Sequence, residues 1–358
     1  MQAILVLEDG KSFIGESSGI KTERAGEVIV NTGVVGYQEM ITDPANLGKI
    51  LVLTYPIIGN YGCAPKFSES DKVRVAGLVV KEESRVYSNW QAKESLKSFA
   101  QKNELFVLHS VDTRMLAIHL RQRGPLYGII STESFDVKSL VENARAFRQS
   151  PPLDVLKEVS VSKPKKLDKS KGKRLAILDL GVTRSIIRQI ERLGFSITLL
   201  PYNTATSEVI KLRPKGLVIA GGPENIIALE RVAESIKPLL GRMPILGISS
   251  GSLVLALGLE AKLHRLQIGH RGMNYPVQNP SSPKGEITIQ NHTYAIDPIS
   301  LLKVRGVKIT GYNLNDRTVE RFESKRLKII AVQYIPYSPG CNEVNTDILR
   351  FKGILKGS

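Results

Sequence analysis

The run Gly247-Ile248-Ser249-Ser250-Gly251 constrains the fold of this chain more than any other stretch. It has the pattern Gly-x-Ser-x-Gly, in which a strand turns sharply into a helix and presents one side chain at the tip. So tight a turn leaves little space for a Cβ beside the strained residue, which accounts for the two glycines. The apolar run Met243-Pro244-Ile245-Leu246 precedes it, and Leu253-Val254-Leu255-Ala256-Leu257 follows with helical character.

The surrounding text has the same rhythm. Leu175-Ala176-Ile177-Leu178-Asp179, Ser196-Ile197-Thr198-Leu199-Leu200 and Gly216-Leu217-Val218-Ile219-Ala220 read as strands, and residues 185–193 carry helical periodicity up to Gly194. Strands apolar enough to be buried on both faces, alternating with helices, predict a parallel sheet with covering helices. Ligands of such sheets sit beyond the carboxyl ends of the strands. Gly221-Gly222-Pro223 and the Ser249 turn both fall there.

Residues 1–150 differ. They are rich in short β-type runs at 27–30, 50–54 and 75–80, punctuated by Gly and Pro, with helical patterns at 95–102 and 113–121. This half reads as a β-rich α/β domain. Between the halves, residues 151–173 end in a Lys-rich stretch, 163–174, that reads as a basic, solvated linker. A length of 358 residues agrees with two domains. The net charge of +16 is spread along the chain without zinc-finger spacing or an RNP-like aromatic run, so nucleic acid is not expected as a partner. No apolar run is long enough to cross a membrane, and the N-terminus reads as strand and turn rather than signal peptide. Cys63 and Cys341 are the two cysteines, which argues against a disulfide scaffold and suits the cytoplasm. Cys341 reads as a small structural residue.

Taken alone, the Ser249 turn suggests a serine hydrolase. That chemistry needs an acid and then a histidine downstream. His264, His270 and His292 follow, but Glu260 and Glu286 are the only carboxylates between Ser249 and His292. The hydrolase reading also leaves the first 150 residues unexplained.

Longer strings point elsewhere. Residues 27–32 and 36–44 resemble the GEVVFNT…GYQEILTDP text of the carbamoyl-phosphate synthase small-subunit family, and residues 53–62 resemble its LTYPHIGNYG. Residues 267–277, 290–297 and 313–320 resemble the KFGHRGANHPV, QNHGFAVD and NLNDGTVEG text of that subunit's class I glutamine amidotransferase domain. The resemblance spans almost the whole chain. It implies the small-subunit N-terminal domain over 1–150 and, over 174–358, a flavodoxin-like amidotransferase domain with a mainly parallel sheet.

In that family the small subunit hydrolyses glutamine and passes ammonia to a large subunit, which uses ATP and bicarbonate to make carbamoyl phosphate for pyrimidine and arginine synthesis. A Cys attacks the side-chain amide, a His acts as base and a Glu orients the His. The family elbow reads G-I-C-x-G-H-Q, so Ser249 stands at the nucleophile position. In the family's F-Q-G-H-P-E-x-S-P-G, aligned with Val332 onward, Ile335 stands at the base position and Tyr337 at the orienting-acid position, in a segment one residue shorter. The resemblance places the glutamine site at Ala45, Gly222, Glu224, Ser250, Leu253, Asn291, Thr293 and Tyr294. Of these, Ala45, Glu224, Leu253 and Thr293 depart from the family's Ser, Gly, Gln and Gly, and Tyr294 replaces a Phe. The expectation is a small subunit without intact catalytic residues, holding no metal or cofactor, with a structural or regulatory role on an ammonia-using large subunit. A stand-alone ligand-binding paralogue with a remodelled pocket, and a serine hydrolase using Ser249, are the alternatives.

Overall fold

Short apolar strands build both halves of the computed structural model, which describes residues 1–17, 20–150, 154–167, 172–338, 340 and 343–356 and divides into units Met1–Pro152 and Leu153–Ser358. Cys341 and residues 151–153 and 168–171 of the expected linker lie outside the described residues.

The first unit contains β1 (Gln2–Leu7), β2 (Ser12–Ser17), β3 (Glu23–Asn31), β4 (Ile50–Leu53), β5 (Ile57–Ile58), β6 (Gly77–Val79), β7 (Glu82–Glu83), β8 (Val107–His109) and β9 (Leu126–Ser131), with helices α1 (Tyr37–Thr42), α2 (Leu96–Lys102), α3 (Thr113–Arg123) and α4 (Val137–Gln149). Seven strands close into a barrel in the order β1-β2-β8-β6-β4-β3-β9, with β9 pairing back onto β1, while β5 and β7 form a separate ladder. Successive side chains of a strand point to opposite faces. On β1, Ala3, Leu5 and Leu7 therefore join one buried cluster with Val28, Val52 and Phe106. Ile4 and Val6 join another with Leu140 and Ala144 of α4. Burial on both faces explains why β1 is apolar throughout instead of alternating. α2 and α3 begin at side-chain caps: Ser95 accepts from the Ser98 amide and Asp112 from the Met115 amide.

The second unit contains β10 (Lys165–Lys166), β11 (Arg174–Asp179), α5 (Arg184–Glu191), β12 (Ser196–Pro201), α6 (Thr206–Lys211), β13 (Leu217–Ala220), α7 (Ile226–Ile236), β14 (Ile245–Ile248), α8 (Ser250–Gly258), β15 (Leu263–Gln278), β16 (Gly285–Ile296), α9 (Pro298–Leu302), β17 (Lys308–Asn313), β18 (Val319–Ser324), β19 (Ile329–Val332) and α10 (Thr346–Lys356). Among the described residues, one sheet runs β10-β12-β11-β13-β14-β19-β18-β17-β15-β16. Its centre, from β12 through β19, is parallel; the strands beyond β19 are antiparallel. Ile219, Ile245 and Ala331 face a core shared with α7 and α8, whereas Val218, Leu246 and Ile330 face one shared with α5 and α10. The chain ahead of Arg174 also contributes. Leu156 is fully buried in the α7–α8 core, and β10 pairs with β12, Lys165 opposite Leu199. Among the described residues, no helix is long and apolar enough to cross a membrane.

Candidate functional site

Three parallel strands end side by side where the site is built. Ala220 of β13 is in register with Ile248 of β14, and Ile248 with Val332 of β19. The loops leaving these strands carry Gly222 and Glu224, Ser249, and Ile335. Topology thus brings the expected oxyanion, nucleophile and base positions to one end of the parallel strands.

Ser249 links β14 to α8 with φ 54° and ψ −121°. A non-glycine residue in this region is strained, and strain of this kind marks functional turns. Neighbours hold it: the Ser249 amide donates to Val332 O at 2.9 Å, and Ser252 Oγ donates to Ser249 O at 2.7 Å. The flanking glycines are steric necessities. A Cβ on Gly251 would lie 1.9 Å from Ile219 O, and one on Gly247 would lie 2.6 Å from the Leu255 side chain. The elbow backbone is therefore whole.

The side chains expected at the base and orienting-acid positions are of another kind. Ile335 forms a bridge with Ile289, its amide donating to Ile289 O at 2.8 Å. A hydrocarbon side chain accepts no proton. Tyr337 is 49% exposed, and its carbonyl accepts from Asn345 Nδ2 at 3.3 Å. Among the described residues, none accepts a hydrogen bond from Ser249 Oγ.

His270 and His292 are engaged elsewhere. His270 Nε2 meets Asp316 Oδ2 at 2.8 Å and His270 Nδ1 lies 3.5 Å from Glu320 Oε1. Burial works against the charge on His270, but the hydrogen bonds and charges of Asp316 and Glu320 outweigh it and push the imidazole up to about 9. It is therefore protonated near neutral pH and already holds the proton a base would take. His292 is buried, 3.4 Å from Glu320 Oε1 and 3.3 Å from Gln290 Oε1, with its Nδ1 donating to Tyr294 O at 3.0 Å. His270, His292 and Glu320 offer ligand atoms within 4.8 Å of one another, a set that has the composition of a divalent-metal site. Here the three atoms are joined by hydrogen bonds and ion pairing, with Asn313 Nδ2 at 3.4 Å from Glu320 Oε1.

The loop after β13, the expected oxyanion side, has a backbone that only glycine fits. Gly221 and Gly222 have φ of 82° and 84°, and a Cβ on Gly222 would lie 1.7 Å from Leu180 O. Ser250 Oγ ties the loop down by donating to Gly222 O at 2.7 Å. Glu224 crosses to the β15–β16 hairpin, where its carboxylate accepts from the Thr293 amide. Thr293 Oγ1 accepts from Arg271 Nη2, and Gln333 Nε2 donates to Tyr294 O. Leu253 is fully buried in the apolar core under α8. Asn291 sits opposite Arg271 in the hairpin, half-buried. The structure thus links Gly222, Glu224, Ser250, Thr293 and Tyr294 to the ends of β13, β14 and β19. Ala45 belongs to the first unit, in a 3-10 turn where Asp43 Oδ1 accepts from its amide at 2.9 Å. Sequence reasoning missed Arg271 and Gln333, which hold the hairpin side; each sits inside a string that resembled the family and so drew no notice as a substitution.

Comparisons with known proteins agree along the chain. A profile described as "Carbamoyl-phosphate synthase small chain, CPSase domain" matches residues 5–130, and one described as "Glutamine amidotransferase class-I" matches residues 176–339. The carbamoyl phosphate synthase small chain of Syntrophotalea carbinolica is 36% identical, covering 99% of this chain and 98% of that one. The Listeria monocytogenes small chain is 37% identical, covering 99% and 97%. The carbamoyl phosphate synthase pyrimidine-specific small chain of Halalkalibacterium halodurans is 36% identical, covering 100% and 98%. With likeness of this extent running through both units, the chain belongs to the carbamoyl phosphate synthase small chain family.

Proposed function

We propose that this chain acts as a carbamoyl phosphate synthase small subunit whose own glutamine hydrolysis is lost or very weak. Its role is to stabilise or regulate a large subunit that takes up free ammonia together with ATP and bicarbonate, feeding pyrimidine or arginine synthesis in the cytoplasm. The observation that carries the reading is Ile335, which follows β19, bridges to Ile289 and stands where the family resemblance calls for the base. A general base contributes on the order of 10²–10⁴-fold in rate, and a serine hydroxyl needs one more than a thiol does. The oxyanion side supports the same conclusion. A carboxylate at residue 224 is adverse to a developing negative charge, and a lost oxyanion donor costs about 3 kcal/mol in other enzymes. Retention of the barrel unit and of the elbow backbone agrees with a chain kept for its fold and its partner.

The test is to assemble the chain with its large subunit and supply glutamine or ammonium. Carbamoyl phosphate should form from ammonium, with no ammonia released from glutamine above a blank without the small chain. Glutamine-dependent ammonia release that disappears in Ser249→Ala would overturn the proposal. Labelling of Ser249 by a fluorophosphonate would instead favour the serine hydrolase.

A further inference from the structure

Glu224 does more than crowd the oxyanion loop. Its side chain leaves the loop after β13 and places its carboxylate on the main-chain amide of Thr293. Carboxylate on backbone N–H is a charge-assisted contact, stronger than a neutral one, and it is the contact an amino acid's α-carboxylate makes with a protein. The surroundings also favour an anion, because the Arg271 guanidinium donates to Thr293 Oγ1. Yet the fit is incomplete. Glu224 Oε1 is buried with no hydrogen-bond partner, and so is Arg271 Nε. A carboxylate retained purely for structure would be expected to satisfy both oxygens, since each buried orphan is costly.

We propose that Glu224 is an internal occupant of a carboxylate-binding subsite, holding the Thr293 amide against free amino acids. The inference rests on reading this pocket as a former glutamine site. It adds that the pocket is closed by the chain's own side chain, in addition to lacking catalytic groups. Shortening residue 224 frees the amide for the α-carboxylate of a free amino acid without creating a base.

The experiment uses the full chain and saturation-transfer NMR with L-glutamine as probe, and L-glutamine α-amide, which lacks the carboxylate, as control. Wild type should show no saturable binding of either. Glu224→Gly and Glu224→Ala should bind L-glutamine at least ten-fold more tightly than wild type and should not bind the α-amide. Glu224→Gln, whose carbonyl oxygen still reaches the amide, should stay closed. No gain in either shortened, folded variant overturns the proposal, as does equal gain for the α-amide or saturable binding of glutamine by wild type. Loss of folding in both shortened variants also overturns it, by showing that Glu224 serves the fold. Ammonia release by wild type would overturn the function proposed above. A folded Glu224→Gly that fails to bind would leave that function standing and sink only the internal occupant.

Discussion

At Gly222 one hydrogen atom separates a working turn from a clash. Its φ of 84° disfavours any L side chain, and the Cβ of an alanine would fall 1.7 Å from the Leu180 carbonyl oxygen. Backbone cannot yield as a flexible side chain can. Gly222→Ala should therefore destabilise the second unit by about 3 kcal/mol or more, combining left-handed strain of roughly 1–2 kcal/mol with displacement of the Leu180 strand end. The check is the urea midpoint of the full chain, and an unchanged midpoint would refute the steric argument. The glycines of the elbow and of the loop after β13 were legible in the sequence, because so few residues meet their backbone requirement. The destination of Glu224 was not. A sequence shows a carboxylate where the family resemblance calls for a glycine, but not that the side chain reaches the Thr293 amide of the hairpin.

Among the elements, the antiparallel end of the sheet was harder to read than its parallel centre. Strands β11 to β14 are short, apolar and separated by helices, so their pattern announces them. β15 and β16 are long, polar and irregular, with register shifts between Arg265 and His270 and between Gly272 and Tyr275. Polar networks rather than apolar periodicity specify them, and such networks leave no period to detect. One network ties several elements together. Arg321 of β18 donates to Glu286 of β16 at 2.9 Å, to Tyr334 Oη at 3.1 Å and to Asp347 of α10 at 3.2 Å. Asp347 is 1% exposed. Arg321→Ala strips a buried carboxylate of a principal partner and should cost about 3–5 kcal/mol. Arg321→Ala combined with Asp347→Asn should recover part of that loss in denaturant unfolding. Failure of the double variant to recover any would show that Arg321 acts through packing alone.

For the whole molecule, pH reports on the His270–Asp316 pair. Burial opposes ionisation of Asp316, but hydrogen bonds from His270 and Thr318 outweigh it and hold the carboxyl at about 2, below its ordinary 3.8. A depressed carboxyl stabilises the fold above pH 3.8 and loses that contribution as pH falls toward 2. His270 is raised from 6.5 to about 9, so its contribution is complete below pH 6.5 and is lost as pH climbs toward 9. The pair should therefore stabilise most between roughly pH 4 and 6.5, and His270→Asn should flatten the alkaline decline in melting temperature. A decline of equal slope in that variant would assign the effect to other groups. The barrel of the first unit shows what pattern alone conceals. β1, β4 and β6 are buried on both faces, so the sequence announced strands there without announcing closure.

Leu253 sets a direction on the history of this chain. Where the family resemblance calls for the glutamine of the G-I-C-x-G-H-Q elbow, this chain carries a hydrocarbon sunk fully into the α8 core. Restoring glutamine there would push an amide into dry surroundings at a cost of about 1–3 kcal/mol. The reversal would bring no compensating activity while Ser249 and Ile335 remain. On the proposed loss of glutamine hydrolysis, the packing acts as a ratchet: the residue at this position is part of the core, and a return path through it begins with a less stable protein.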